Sequence, residues 1–157
     1  MKHHFWTHWQ GPILGREVAH VWSSYAWCLF LEFGKLTEGE PRRDGTPGTP
    51  RGEWTLTSMD TWPLWTLLRG RRVSRSSEYP QSRRDCTLGV LIGQTLESLD
   101  INESSRRTRL SFSNGLVLQT RVTIPNLRRE ALWLLRTPDC GTDWPRVTLR
   151  APSAKSA

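Results

Sequence analysis

Apolar positions recur with a period of two along much of the chain. In Cys28–Phe33, "CLFLEF", Leu29, Leu31 and Phe33 alternate with Cys28, Phe30 and Glu32. In Arg107–Phe112, "RTRLSF", Thr108, Leu110 and Phe112 alternate with Arg107, Arg109 and Ser111. Successive side chains of a strand point to opposite faces, so this alternation predicts strands with one buried face. Asn114-Gly115 is the dipeptide favoured in a two-residue hairpin turn, so the strand through Leu110 is expected to pair with one over Leu116–Val122. A short further strand is expected at Arg146–Arg150, "RVTLR", at a sheet edge.

The alternating segments occur twice. Gly15, Val18 and Val21 of "ILGREVAHV" correspond to Gly93, Leu96 and Leu99 of "LIGQTLESL". Leu31 and Phe33 then correspond to Leu110 and Phe112, and "GEWTLTS" (Gly52–Ser58) to "GLVLQTRV" (Gly115–Val122). Each unit closes on a Leu-Trp phrase followed by arginine: "LWTLLRG" at Leu64–Gly70 and "LWLLRTP" at Leu132–Pro138. Two copies are too few for a solenoid. The pattern implies two similar halves packed about a pseudo-twofold axis, repeat 1 over 13–70 and repeat 2 over 91–136. Each half is expected to be a three-stranded antiparallel meander followed by a short helix. The helix expectation rests on Asp60, Pro63 and Gly70 around the first Leu-Trp phrase, and on Asn126 as N-cap with helical spacing of Leu127, Ala131, Leu134 and Leu135 in the second. A strand is the alternative for either copy. The fold class is thus mainly β (α+β), one domain over 13–150, with an N-terminal arm over 1–12 and a disordered tail over 151–157.

Two stretches lack a counterpart. Thr37–Gly52 holds four glycines and three prolines and reads as a long exposed loop where the second unit has a tight turn. Arg69–Cys86 connects the units and is dense in arginine.

Composition adds constraints. The 157 residues suit one domain. The apolar fraction is 36%, low for a globular domain, but nine tryptophans supply large rings for a core. The formal charge is +7, and only three of the 22 basic residues are lysine, which leaves arginine, the residue suited to bidentate recognition of carboxylate or phosphate, as the main cation. Three cysteines, Cys28, Cys86 and Cys140, are widely spaced without a CxxC pair, which argues against a disulfide framework or a cysteine zinc site and for mostly buried thiols in a reducing cytoplasm. No run of about 18 apolar residues and no signal-peptide pattern occurs, so the expectation is a cytoplasmic protein without a membrane span.

The candidate binding residues are Arg69, Arg71, Arg72, Arg75, Tyr79, Arg83 and Arg84 of the connection, extended by Arg107 and Arg109 if these share the exposed face of their strand. Clustered arginines favour an anionic partner, either an acidic protein face or nucleic acid, and Tyr79 offers a ring on which a base could stack. No nucleic-acid-binding motif accompanies them. His3, His4 and His8 place two imidazoles four residues apart, a spacing that holds zinc on a helix, but the third ligand and general base of a metalloprotease are missing, and a mobile arm is the simpler account. Trp65 and Trp133 recur at matched positions and are expected in the core. The remaining tryptophans either fill the core or, beside arginine, mark an interface. No phosphate loop, GxSxG or HExxH motif is present, no metal or cofactor is expected, and an enzyme is disfavoured.

The opening G-x-x-L-x-x-L of the second unit and its L-x-F-x-N-G hairpin, within "LIGQTLESLDINESSRRTRLSFSNGLVLQT", resemble a group of small bacterial proteins with two β-rich halves. Over Ile13–Arg136 that resemblance implies a non-catalytic protein of the toxin-immunity type that blocks a protein partner. The Thr37–Gly52 insertion and the arginine-rich connection depart from the group's pattern. The partner is expected to present an acidic surface, with nucleic acid as the rival ligand.

Overall fold

The computed structural model describes residues 12–24, 28–58, 64–75, 80–102, 107–121, 133–136, 138 and 147–148. Strands dominate them. β1 (Val18–Ser23), β2 (Leu29–Phe33), β3 (Thr37–Gly39), β4 (Gly48–Arg51), β5 (Trp54–Ser58), β6 (Leu64–Arg69) and β7 (Arg72–Arg75) come first. Helix α1 (Gln81–Leu88) and a 3-10 turn (Gly89–Leu91) follow, then β8 (Leu96–Asn102), β9 (Arg107–Phe112), β10 (Leu116–Arg121), β11 (Trp133–Arg136) and β12 (Val147–Thr148). They form two five-stranded antiparallel sheets, β1-β2-β5-β11-β12 and β7-β6-β10-β9-β8, and a two-stranded ribbon, β3-β4. The chain is mainly β.

Alternation decides which face is inside. In β9 Thr108, Leu110 and Phe112 are buried while Arg107 and Arg109 are exposed. The inner positions of both sheets join one core that includes Val18, Leu31, Phe33, Leu56, Trp65, Leu67, Leu110, Phe112, Leu118 and Leu135. The outer faces of the two sheets therefore belong to different surfaces of the molecule.

Both Leu-Trp phrases are strands, which corrects the expected helices. Trp65 and Leu67 are buried and Thr66 and Leu68 are half-buried, a period of two that no helix would satisfy. Their pairing crosses over between the sheets. β6 follows β5 in sequence but lies on β10, with Leu67 opposite Leu118. β11 follows β10 but lies on β5, with Leu135 opposite Leu56. Asn126 and the stretch before Trp133 lie outside the described residues, as do the arm, its three histidines, Cys140 and the tail.

Two other expectations are corrected. The Thr37–Gly52 stretch is not an open loop, since it folds back as the β3-β4 ribbon with Thr37 opposite Arg51. The connection contains α1, whose buried stripe runs through Arg84, Leu88 and, in the next turn, Leu91. Because that stripe starts on an arginine, it does not register as an apolar helical pattern. α1 docks on β1 through Asp85, whose Oδ1 accepts from the Ser23 amide (3.0 Å) and hydroxyl (2.5 Å). Cys86 on α1 is exposed and Cys28 half-buried, so the thiols are not uniformly buried.

The sheets are joined edge to edge at two glycine turns. Gly15 (φ 78°) and Gly93 (φ 82°) occupy the left-handed region, where glycine carries no Cβ penalty. The Gly15 amide donates to Leu96 O (2.8 Å) and the Gly93 amide to Val18 O (2.8 Å). The Val18 amide donates to Gln94 O (2.9 Å), the Leu96 amide to Arg16 O (2.9 Å), and Glu17 and Thr95 form a bridge between them. No helix among the described residues is long and apolar enough to cross a membrane.

Candidate binding surfaces

The strand pattern sorts the candidate arginines into separate places. Arg107 and Arg109 share the outer face of β9, both exposed. Arg109 lies between Asp100 of β8 and Gln119 of β10, and Arg107 between Asn102 and Arg121. Across the same sheet Gln119 pairs with Thr66, and Thr66 with Arg75. Five strands thus bring Arg75, Arg107, Arg109 and Arg121 to register positions of one sheet, against Asp100. In register, Arg107 stands opposite a second arginine, Arg121, and like-charged residues at opposed positions weaken a sheet.

Arg69 and Arg72 instead close the β6-β7 hairpin, with Arg71 exposed in its turn. Arg69 pairs with Leu116 while Leu64 pairs with Arg121, so this turn lies five residues along the sheet from Arg107, roughly 17 Å at the rise of a strand. Arg83 is exposed on α1, against the edge of the other sheet. Arg84 is 4% exposed, which removes it from any exposed basic surface. Burial pushes its guanidinium pKa down, and the neighbouring Asp85 carboxylate acts in the opposite direction. Tyr79 lies outside the described residues.

A second constellation, not anticipated from the sequence, occupies the outer face of the first sheet. Trp22 and Phe30 are directly opposite in β1 and β2, and their rings stack with centroids 3.7 Å apart at an interplanar angle of 4°. Beside them Glu32 is fully buried. Its Oε1 accepts from Trp22 Nε1 (3.0 Å), and its Oε2 from the Gly52 amide (2.9 Å) and Thr55 Oγ1 (2.5 Å). Arg51, at the end of the β3-β4 ribbon, places Nη1 at 3.7 Å from Oε1. Gly52 passes so close to β2 that a Cβ there would stand 2.5 Å from Phe33 O, far inside contact distance. Arg136 of β11 closes the group by donating to Gly52 O (3.0 Å). A buried carboxylate is tolerated when hydrogen bonds and a cation replace its water, and every part of that replacement is present here.

The sequence signal for this group was Glu32 itself, the one charged residue in an otherwise apolar "LFLEF". Its partners come from β1, β5, the ribbon and the link between ribbon and β5, and no spacing in the chain joins them. Trp54, a further half-buried ring, packs against the core with the Arg16 guanidinium carbon 5.2 Å from its centroid. Among the described residues no group of three or more His, Cys, Asp or Glu is placed to hold a metal ion.

No protein-family model, curated protein or solved structure matches this chain.

Proposed function

We propose that the protein is a non-enzymatic binding protein of the immunity or inhibitor type, which blocks a protein partner by covering an acidic face of it. The contact surface is the outer face of the second sheet, centred on Arg107 and Arg109. The observation that carries this reading is the like-charged pairing of Arg107 with Arg121, next to Arg109, on an exposed face. Such a pairing costs the free protein stability, and an anionic partner would offset it. Around the arginines the face offers aliphatic side chains, the half-buried Leu68 and Val117, with Gln119 and Ser111. Aliphatic patches rimmed by arginine suit a protein surface, whereas single-stranded nucleic acid favours aromatic stacking platforms. The exposed arginines at the β6-β7 turn would add long-range attraction that speeds encounter more than it tightens the complex.

We also read the chain as one unit written twice, its halves exchanging their closing hairpins about a pseudo-twofold axis. Parallel registers support this. Val18 faces Phe33 and Val21 faces Leu31 in one sheet, while Leu96 faces Phe112 and Leu99 faces Leu110 in the other, with an irregularity directly after Val18 and after Leu96. Leu31, Leu56 and Leu135 line up across one sheet as Leu110, Leu118 and Leu67 do across the other. The reciprocal hydrogen bonds of the two glycine turns follow the same correspondence.

The binding reading is tested by titrating the protein with poly-glutamate and, separately, with an oligothymidylate of equal charge, following backbone amide resonances. Saturable shifts at Arg107, Arg109 and Gln119 with poly-glutamate support it. Tighter oligothymidylate binding at the same residues, with a steep salt dependence, would replace it with nucleic-acid recognition.

A further inference from the structure

We infer that the outer face of the first sheet carries a second docking point, at which Arg51 and the Trp22–Phe30 stack receive a carboxylate side chain from an acidic segment of a protein.

Arg51 is oriented but not saturated. Its closest anionic contact, Glu32 Oε1 at 3.7 Å, is an ion pair too long for a hydrogen bond. Its side chain makes no hydrogen bond among the described residues and remains 36% exposed. Glu32 meanwhile is engaged by Trp22, Gly52 and Thr55 at 3.0 Å or less, so it fixes Arg51 by charge at a separation beyond hydrogen bonding. A guanidinium offers five N–H donors in a planar fork matched to a carboxylate. This one is held in place by the protein, with those donors still open.

The rings stand beside the fork. The Arg51 guanidinium carbon is 4.5 Å from the Trp22 centroid and 5.6 Å from that of Phe30, while the two centroids are 3.7 Å apart. Had the guanidinium capped the stack, its distance to Phe30 would approach the sum of the other two. It lies to the side, by the indole edge that donates to Glu32. A half-buried apolar wall thus adjoins a positive fork, an arrangement that takes a carboxylate on the arginine and its methylenes on the rings. The charge around the point is complementary to an acid, since the Arg136 guanidinium anchors to Gly52 O close by. Among the described residues the only carboxylate in contact with Arg51 is the buried Glu32. Trp and Arg in one half-buried cluster is also the composition that dominates binding energy at interfaces. This point lies on the other sheet from Arg107 and Arg109 and does not depend on the reading given to them.

The test uses the full chain and a short blocked peptide alternating Glu and Leu, with a Gln-and-Leu peptide as control. The Trp22 indole N–H resonance, assigned by its loss in Trp22→Phe, should shift saturably with the Glu peptide and not with the control, and the Arg51 Nε–H resonance should shift with it. Arg51→Lys keeps the charge and loses the fork, and should weaken binding about tenfold as read at the Trp22 resonance. The inference is overturned if the Trp22 resonance stays still at saturating peptide, if Arg51→Lys binds as the parent does, or if an oligothymidylate moves these resonances at lower concentration than the peptide. Should Arg51→Lys fail to fold, the resonance map of the unaltered chain decides alone.

Discussion

Replacing Glu32 by glutamine changes no volume and removes one charge, so it isolates what the buried carboxylate does. As a carboxylate, Glu32 accepts from Trp22 Nε1 at one oxygen and from the Gly52 amide and Thr55 hydroxyl at the other. Glutamine keeps one acceptor oxygen and turns the other position into an NH2 donor. If the oxygen faces Gly52 and Thr55, the NH2 meets the Trp22 N–H and Arg51. If it faces Trp22, the NH2 meets the Gly52 N–H, and only the Thr55 hydroxyl can rotate to accept. Either orientation leaves one N–H facing a donor in a buried site. The cost of such an orphaned group is about 1–3 kcal/mol. Glu32→Ala strands all three donors and removes the counter-charge of Arg51, and should cost about 3–5 kcal/mol, a large part of the stability of an ordinary domain. Urea unfolding followed by tryptophan fluorescence measures both, and in a chain of this size each kcal/mol lowers Tm by about 2–4 °C. A Glu32→Gln variant within about 0.5 kcal/mol of the parent would refute the reasoning. It would mean that the donors find water and that the group is not closed.

Gly52→Ala drives a Cβ against Phe33 O and Phe33 N, which are backbone atoms that cannot swing aside, and should cost more than about 2 kcal/mol by chemical denaturation. Gly93→Ala meets open space and bears only the left-handed backbone penalty, about 1–2 kcal/mol, so the two variants should rank in that order. Leu135→Ala should cost about 2–5 kcal/mol and, in amide exchange, lower protection first at Leu56 and its neighbours in β5, because β11 pairs with β5; loss centred on β10 would contradict that pairing. The Asp44 carboxyl accepts from the Thr46 hydroxyl and amide, which hold its pKa below the ordinary aspartate range. Its folded pKa being depressed, the contribution is present at neutral pH and is lost as pH falls through that lowered value. An NMR titration of the Asp44 carboxyl in parent and Thr46→Val checks this, and equal midpoints would count against it.

The strands around Leu31 and Leu110 and their inward faces were legible because period-two alternation is a local signal; Asn114-Gly115 marked the hairpin, but its turn spans three residues, Ser113 to Gly115, with Gly115 left-handed, and not two. The Leu-Trp phrases were not, since Pro63 and Gly70 imitate helix boundaries while the deciding factor is an unpaired edge supplied by the other sheet. That partner is remote in sequence: Leu67 meets Leu118, and Leu135 meets Leu56. α1 stayed hidden because its buried stripe begins with Arg84. The exposed face of Arg107 and Arg109 could be read from alternation, whereas the conflict with Arg121 needed the β9-β10 register. The Glu32 cluster was illegible beyond its one odd charge. Buried ionic groups are satisfied by whatever the tertiary fold brings near, and here that was a ribbon inside a stretch that reads as loop.

The binding proposal predicts that Arg107 is kept at the expense of stability, and Arg107→Glu measures both sides of that trade together. In the free protein at low salt the variant places opposite charges where like charges stood, and should be more stable by about 0.5–1.5 kcal/mol in urea, while poly-glutamate no longer shifts the amides of Arg109 and Gln119. A variant that is less stable than the parent, or that binds poly-glutamate as well as the parent does, contradicts the account.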